Sequence, residues 1–181
     1  MKLNFDKGTS VLMVCSRLIF LFLMAAVIHG CSSVKYSFSG ASIPPGTKTV
    51  SVQYFQNRAS LVQVGLSEAL TNALIDKCKA ETNLTLINGL GDVNFEGEIT
   101  DYNTKPLTVS ADAVAASNRF TITVKVKFTN AIDPELSYEK TFSRYMDYDS
   151  SLDFTQVGTS LSTDIINLIV EDVFNAAFVN W

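Results

Sequence analysis

Hydrophobic and polar residues alternate most regularly between Arg119 and Thr129, and this stretch predicts a β-strand. Its eleven residues change character at every step, so that one face of the strand is apolar and the other is polar. A strand of this kind buries its apolar face in a core and exposes the polar face to water or to a partner. The predicted inward residues are Phe120, Ile122, Val124, Val126 and Phe128.

Shorter or less regular stretches predict further strands. They are Thr49–Phe55, Leu84–Ile87, Asn94–Tyr102 (with Phe95, Gly97 and Ile99 inward) and Tyr138–Met146. A turn at Asp133-Pro134 favours pairing of the last of these with Arg119–Thr129 as a hairpin. The stretch Pro106–Asn118 is rich in Ala and Ser, and it is expected to be a surface loop or a frayed strand end.

Two other stretches place their apolar residues at helical spacing and predict helices at Leu61–Lys79 and Thr159–Ala177. Ser60 is a candidate N-cap for the first helix. The apolar stripes are Leu66, Ala69, Leu70, Ala73, Leu74 and Cys78 in the first helix, and Leu161, Ile165, Leu168, Ile169, Val173, Phe174 and Ala177 in the second. The order strand, helix, several strands, helix predicts an α+β fold, with two helices packed on one face of a four-stranded, mostly antiparallel sheet.

The N-terminus has a different pattern, which predicts a signal peptide. Lys2, Lys7 and Arg17 precede 11 consecutive apolar residues, Leu18–Ile28. A membrane-spanning helix needs about 20 such residues, so this run suits the apolar core of a signal peptide. The run ends in Ile28-His29-Gly30-Cys31, which resembles the lipobox at which bacterial lipoproteins are cleaved and acylated.

The lipobox divides the chain into residues 1–30, a lipoprotein signal peptide; residues 31–48, an acylated N-terminus and tether; and residues 49–181, a single α+β domain. Cys31 is the predicted lipidation site. Two or more acyl chains anchor a protein stably in a membrane without a spanning segment. The alternatives are an uncleaved N-terminal anchor, or an ordinary signal peptide with a chance cysteine.

Cleavage would leave an acidic chain that lacks histidine. The mature chain would retain 11 of the 14 basic and 17 of the 18 acidic residues, a net charge of about −6. This charge argues against sequence-independent nucleic-acid binding. The single histidine, His29, leaves with the signal peptide, which removes Ser-His-Asp catalysis and most zinc sites. We therefore expect neither a metal nor a cofactor.

Few residues remain as candidates for chemistry. Cys78 lies on an apolar helix stripe, so a buried structural thiol is favoured over a reactive one. Glu96 and Glu98 share one strand face, and either they act as paired carboxylates or they are ordinary surface charges. The acidic loop with Asp147, Asp149 and Asp153 lacks the spacing of an EF-hand. We expect that the protein is not an enzyme.

A basic, Thr-rich sheet face is the strongest candidate binding surface. Arg119, Lys125 and Lys127 share the polar face of one strand, and Lys140 and Arg144 lie on the neighbouring strand. Such residues bind phosphates or carboxylates, so this face is a candidate for contact with an anionic lipid or a partner. The alternative is that these charges protect a sheet edge and keep the protein soluble.

Several stretches together resemble the LptE family of small outer-membrane lipoproteins, which partner the large β-barrel of the lipopolysaccharide transport machinery. They are the lipobox Ile28–Cys31, YSFSG at Tyr36–Gly40, SIPPGTKTVSVQYFQNRA at Ser42–Ala59, FEGEITDY at Phe95–Tyr102, NRFTITVKVKFTN at Asn118–Asn130 and the terminal FVNW. The resemblance covers nearly the whole mature chain and rests on no catalytic motif.

The resemblance implies two helices packed on a four-stranded sheet, which agrees with the pattern. It also implies an anchor in the outer membrane, a periplasm-facing domain that plugs the lumen of the barrel, and binding of lipopolysaccharide. The competing hypotheses are an envelope lipid-binding or assembly lipoprotein without a barrel partner, and an envelope hydrolase that uses carboxylates alone.

Overall fold

The computed structural model describes residues 43–61, 63–107 and 117–179. The predicted signal peptide, Cys31 and most of the tether lie outside these residues, as do most of the ambiguous stretch after Pro106 and the last two residues of FVNW. Within the described ranges, neither helix combines the length and apolar character needed to cross a bilayer.

Six strands and two long helices make up the described part. The strands are β1 (Thr49–Val52), β2 (Gln56–Asn57), β3 (Thr85–Leu86), β4 (Val93–Leu107), β5 (Ser117–Asn130) and β6 (Tyr138–Asp149). The helices are α1 (Leu66–Glu81) and α2 (Phe154–Phe178). A short 3₁₀ turn, Pro134–Leu136, joins β5 to β6 at the predicted Asp133-Pro134 turn.

The sheet is larger than predicted, and it is mixed. Its order is β3-β1-β4-β5-β6, and β2 also pairs with β4. The pairs β4–β5 and β5–β6 are antiparallel, as the alternating stretches predicted, but β1 and β2 both run parallel to β4, and β3 runs parallel to β1. Parallel neighbours need a crossover connection of a dozen or more residues, and α1 provides it between β1 and β4. The prediction of four mostly antiparallel strands was therefore wrong, although the α+β class was right.

One face of the sheet and the inner sides of both helices form the core. The five predicted inward residues of β5 are at most 1% exposed, and Phe95 and Ile99 of β4 are fully buried. Phe178 at the end of α2 lies with its ring centroid 5.9 Å from that of Phe95. Two helices on one face of a sheet are thus confirmed.

The first helix begins later than its apolar pattern suggested. It starts after Gly65, whose φ of 82° is a left-handed conformation that glycine tolerates, and no side chain caps it. Ser60 is therefore not its N-cap.

The second helix begins five residues earlier than predicted, because the Asp153 side chain accepts a hydrogen bond from the Thr155 amide and acts as the N-cap. Leu168, predicted inward, is 41% exposed, whereas Ile166 and Val170 are buried. The stripe of α2 that faces the core is therefore rotated slightly from the predicted one.

Candidate functional site

The face of the sheet opposite the helices, formed mainly by β4, β5 and β6, is here called the open face. Alternation along β5 sends Thr121, Thr123, Lys125 and Lys127 to this side. Their neighbours on β4 and β6 are polar as well, and the Thr123 and Ser143 hydroxyls lie 3.0 Å apart. No helix within the described ranges packs on this side, so the open face is available to a partner.

Strand register decides which of the five candidate basic residues share the open face. Side chains directly opposite each other in an antiparallel pair project to the same side of the sheet. Arg119 pairs with Asp147, and Lys125 pairs with Thr141, all on the open face. Lys127 pairs with Glu139 and Glu96, and this row is on the open face too.

Lys140 and Arg144 lie on the opposite side, because their register partners Val126 and Ile122 are core residues. The five basic residues therefore do not form one surface. A signal in the sequence could have shown this, because Lys140 and Arg144 alternate in step with the apolar residues Tyr138, Phe142 and Met146, which pack against the core.

Arg144 contacts the helix layer instead. Its Nε and Nη2 atoms donate to the two carboxylate oxygens of Asp172 on α2, each at 2.6 Å, and this carboxylate raises the pKa of Arg144. Lys140 places its Nζ 5.1 Å from the ring centroid of Tyr138. Both charges flank β6, the long edge strand of the sheet, and inward-pointing charges of this kind protect an edge from pairing with another chain.

On the open face, Lys125 and Lys127 each lie beside an acidic residue. Lys127 Nζ is 2.6 Å from a Glu96 oxygen, and Lys125 Nζ is 2.5 Å from a Glu139 oxygen. These hydrogen-bonded carboxylates raise the pKa of both lysines, and Lys125 in turn lowers the pKa of Glu139. Glu98 also lies 3.9 Å from Arg58. The open face is therefore not a basic surface, because cross-strand acids stand next to the cations.

Arg119 is held at the far end of the open face. Its Nε and Nη2 atoms donate to Asp147 at 2.8 and 2.9 Å, and its guanidinium lies 3.7 Å from the centroid of the Tyr145 ring. The hydrogen bonds to Asp147 raise the pKa of Arg119 and lower that of the aspartate. A bidentate, stacked arginine has few donors left for a ligand, so we read this cluster as a rigid part of the surface.

A groove of about 370 Å³ opens on this face where the segment after β1 crosses β4. We call it the outer groove. One wall is the Tyr54 ring, which is 61% exposed. The other lining side chains are the amides Gln53 and Gln56, the carboxylates Glu96, Glu98 and Glu139, and the ammonium groups Lys125 and Lys127. Sequence analysis included Tyr54 in the predicted strand Thr49–Phe55 and did not identify it as a candidate binding residue, whereas in the structure β1 ends at Val52.

A second groove, of about 390 Å³, lies at the end of the domain where both helices begin. Its lining includes Leu61, Phe154 and Tyr102. Tyr102 donates a hydrogen bond of 2.6 Å to Gln63 Oε1, which also accepts one from Ser162 at 2.8 Å. This network fixes the chain before α1 against β4 and α2, and burial raises the pKa of Tyr102.

The candidates for chemistry have structural roles. Cys78 is fully buried, as predicted, and desolvation raises its pKa to about 12. Asp149 accepts a hydrogen bond from the Ser151 amide at 2.8 Å and Asp153 caps α2, so this acidic loop is accounted for by local turns. Among the residues described, no three carboxylate, thiol or imidazole groups converge as metal ligands would.

Comparisons with known proteins support one family. The sequence model of the LptE family, described as lipopolysaccharide-assembly, matches residues 47–177. No curated protein sequence matches the chain. A minor lipoprotein from Acinetobacter baumannii is 12% identical, covers 71% of this chain and 91% of its own, and gives a TM-score of 0.48.

Uncharacterized lipoprotein B from Nitrosomonas europaea is 14% identical, covers 74% of this chain and 82% of its own, and gives a TM-score of 0.43. With TM-scores below 0.5, these two structural likenesses carry no argument about function.

Proposed function

Because this chain belongs to the LptE family of lipopolysaccharide-assembly proteins, we propose that it is an outer-membrane lipoprotein that works by binding and assembly, not by catalysis. In this proposal Cys31 carries the acyl chains and the folded domain faces the periplasm. The family match over residues 47–177 is the observation that carries the proposal.

We infer further that the domain plugs the lumen of the large lipopolysaccharide-transport β-barrel and binds lipopolysaccharide. The open face is suited to such a partner, because the interior of a large barrel is polar. Interfaces with polar rims and many bridging waters are common among specific complexes. Arg119, Lys125 and Lys127 are predicted binding residues that lie on the side that we assign to the barrel.

Charge pairing supports this assignment. The charges of Lys125, Lys127 and Arg119 already have carboxylate partners at 2.5 to 2.8 Å in the free domain. A charge that enters an interface together with its partner is less costly to desolvate than an isolated one. A polar surface of this kind can be covered by another polar wall without burying an unpaired charge.

Lys140 and Arg144 are proposed to have a different role. They stand on the helix side of edge strand β6, where they limit pairing with other chains. This protection matters for a lipoprotein that crosses the periplasm before it meets its partner, because an unguarded edge strand would pair with other exposed strands on the way.

The test is a detergent pull-down of tagged, natively acylated protein from outer membranes, with mass identification of the chains that co-purify. The proposal expects a large β-barrel protein in near-stoichiometric amount. A Cys31→Ser variant that is exported by a separate signal peptide should fold but lose its anchor in the outer membrane. Recovery of the lipoprotein alone, also after crosslinking, would contradict the plug and favour a lipid-binding envelope lipoprotein without a barrel.

A further inference from the structure

The outer groove combines features that point to a particular class of ligand. Its volume of about 370 Å³ is at the lower end of the range for small-molecule sites, which is roughly 300–1,000 Å³. It is open along the sheet, so a ligand could extend beyond it in both directions.

Tyr54 supplies a flat apolar wall. The residue precedes β2, and the amide of the next residue, Phe55, donates to the Thr71 hydroxyl of α1 at 3.1 Å, which fixes the backbone at this point. Phe55 turns into the core and is 1% exposed, whereas Tyr54 is 61% exposed beside the groove. An aromatic ring held in this way offers its face to an apolar surface and its hydroxyl to a polar one.

The other walls carry planar groups with two hydrogen-bonding atoms each. The Gln53 amide is held in plane, because its Nε2 donates to Gly89 O at 2.7 Å and to Asn94 Oδ1 at 3.0 Å. Glu96 and Glu98 stand on either side of Gly97, and each carboxylate can accept from two donors. Such side chains match neighbouring hydroxyl groups on one molecule.

The charges in and beside the groove balance, and this argues against an ion as the ligand. Glu96, Glu98 and Glu139 contribute three negative charges. Lys125, Lys127 and the neighbouring Arg58 contribute three positive charges, each within 4 Å of one of those acids. A phosphate would meet three carboxylates, and a metal cation would meet three cations. A neutral molecule with many hydroxyl groups meets no such penalty.

We propose that the outer groove is a saccharide-binding site that takes neutral sugar units of a glycolipid. The C–H face of a sugar ring packs on Tyr54, and its hydroxyls donate to the Glu96 and Glu98 carboxylates and accept from the lysines. This inference rests on the proposed function, since lipopolysaccharide is the glycolipid that such a protein would meet. It adds that the sugar part, and not the acyl chains, contacts the open face.

The experiment uses the natively acylated chain in detergent, separated from any barrel partner so that the open face is accessible, with lipid-free oligosaccharide released from lipopolysaccharide by mild acid as the probe. Saturation-transfer NMR detects the bound sugar, and calorimetry gives its affinity. Tyr54→Ala should weaken binding by about fivefold, which corresponds to the loss of an aromatic contact of about 1 kcal/mol. Tyr54→Phe keeps the ring and should bind within about twofold of wild type.

Tyr145→Ala is the matched control. Tyr145 is also an exposed tyrosine of the open face, at 51%, but it lies outside the groove. Its loss should leave saccharide affinity within about twofold of wild type. Equal affinities of the wild type and Tyr54→Ala would overturn the proposal, as would the absence of any transfer to the oligosaccharide at millimolar concentration. Displacement of the sugar by millimolar inorganic phosphate would also overturn it, in favour of an anion site.

The barrel pull-down separates this inference from the proposed function. If the barrel co-purifies but the oligosaccharide does not bind, the saccharide site fails and the plug stands. If the lipoprotein is recovered alone but binds the oligosaccharide through Tyr54, the plug fails and the site stands.

Discussion

Arg144 on β6 and Asp172 on α2 form two hydrogen bonds of 2.6 Å, from both ends of the guanidinium fork to both carboxylate oxygens. The pair joins the edge strand of the sheet to the helix layer. Together with Lys140, the pair keeps charged groups on the flank where another strand would have to dock. We therefore regard Lys140 and Arg144 as residues that protect the edge strand from pairing, and not as ligands for an anionic lipid.

Replacing both of these residues should increase self-association. We expect Lys140→Val with Arg144→Leu to shift the non-acylated mature chain toward larger species in sedimentation velocity, because β6 then lacks both charges on its helix side. The control is Lys125→Val with Arg119→Leu, which removes the same two residue types from central strand β5. If both pairs of substitutions shift the sedimentation profile equally, charge loss alone explains the result and the edge has no special role.

Gly97 is a position where a single methyl group should be strongly destabilising. A Cβ atom there would collide with the Lys125 carbonyl oxygen and lie 2.7 Å from Phe55 Cε1. Because a strand backbone cannot move aside, we expect Gly97→Ala to lower the free energy of unfolding by about 3 kcal/mol. Denaturant titration measures this.

Gly158→Ala provides the comparison for that substitution. Its Cβ would meet Phe154 ring atoms at 3.0 Å, and alanine favours a helix by up to about 1 kcal/mol over glycine. We expect this variant to remain within about 1 kcal/mol of wild type. If both substitutions lowered the free energy of unfolding by a similar amount, the close approach of neighbouring atoms at Gly97 would not be the cause of the destabilisation.

The Cys78 thiol should be unreactive in the folded protein. Desolvation raises its pKa to about 12, so that very little thiolate is present at pH 8, and the side chain is fully buried. Labelling with a thiol reagent at pH 8, followed by mass analysis of the peptide with Cys78, should be at least about a thousandfold slower than in denaturant. Fast labelling of the native chain would contradict the buried position.

The raised pKa of Cys78 also predicts that the free energy of unfolding falls at alkaline pH. The pKa of Cys78 is higher in the folded state than its ordinary value of 9, so unfolding releases a proton between pH 9 and pH 12. Its stabilising contribution is complete below pH 9 and is lost as the pH rises through this window, at about 1.4 kcal/mol per pH unit. Cys78→Ala should flatten this dependence. Burial also raises the pKa of Tyr138, which adds to the alkaline sensitivity in both proteins.

Charge reversal on the open face tests the proposed barrel contact. Lys127→Glu places a third acid between Glu96 and Glu139, and we expect it to reduce recovery of the barrel severalfold in the pull-down. Adding Glu96→Lys restores an ion pair in reversed order and should recover part of the association. Circular dichroism confirms that each variant is folded. If the Lys127→Glu variant co-purified as much of the barrel as wild type does, the contact with the barrel would lie elsewhere on the protein.

The amino-acid pattern identified both helices and the antiparallel part of the sheet. Eleven alternating residues specify β5 without help from the rest of the chain, since a half-buried strand needs only a period of two. The apolar stripe of α1 likewise placed Cys78 in the core. The pattern also predicted strands at the positions of β1 and β3, but it missed the two-residue strand β2 and the parallel pairing of all three, because that pairing depends on the crossover through α1.

Tertiary structure decided which charges act together. By itself the sequence determined the α+β class, the inward residues of β5, and a set of stretches that resemble one family. The sequence analysis did not separate Lys140 and Arg144 from Lys125 and Lys127, because these two charges interrupt the apolar face that Tyr138, Phe142 and Met146 give to β6, and only the folded sheet showed that this face points to the helices. It also could not show that Glu96 and Glu139 flank Lys127, since those residues come from three strands whose side chains meet only when the sheet has formed.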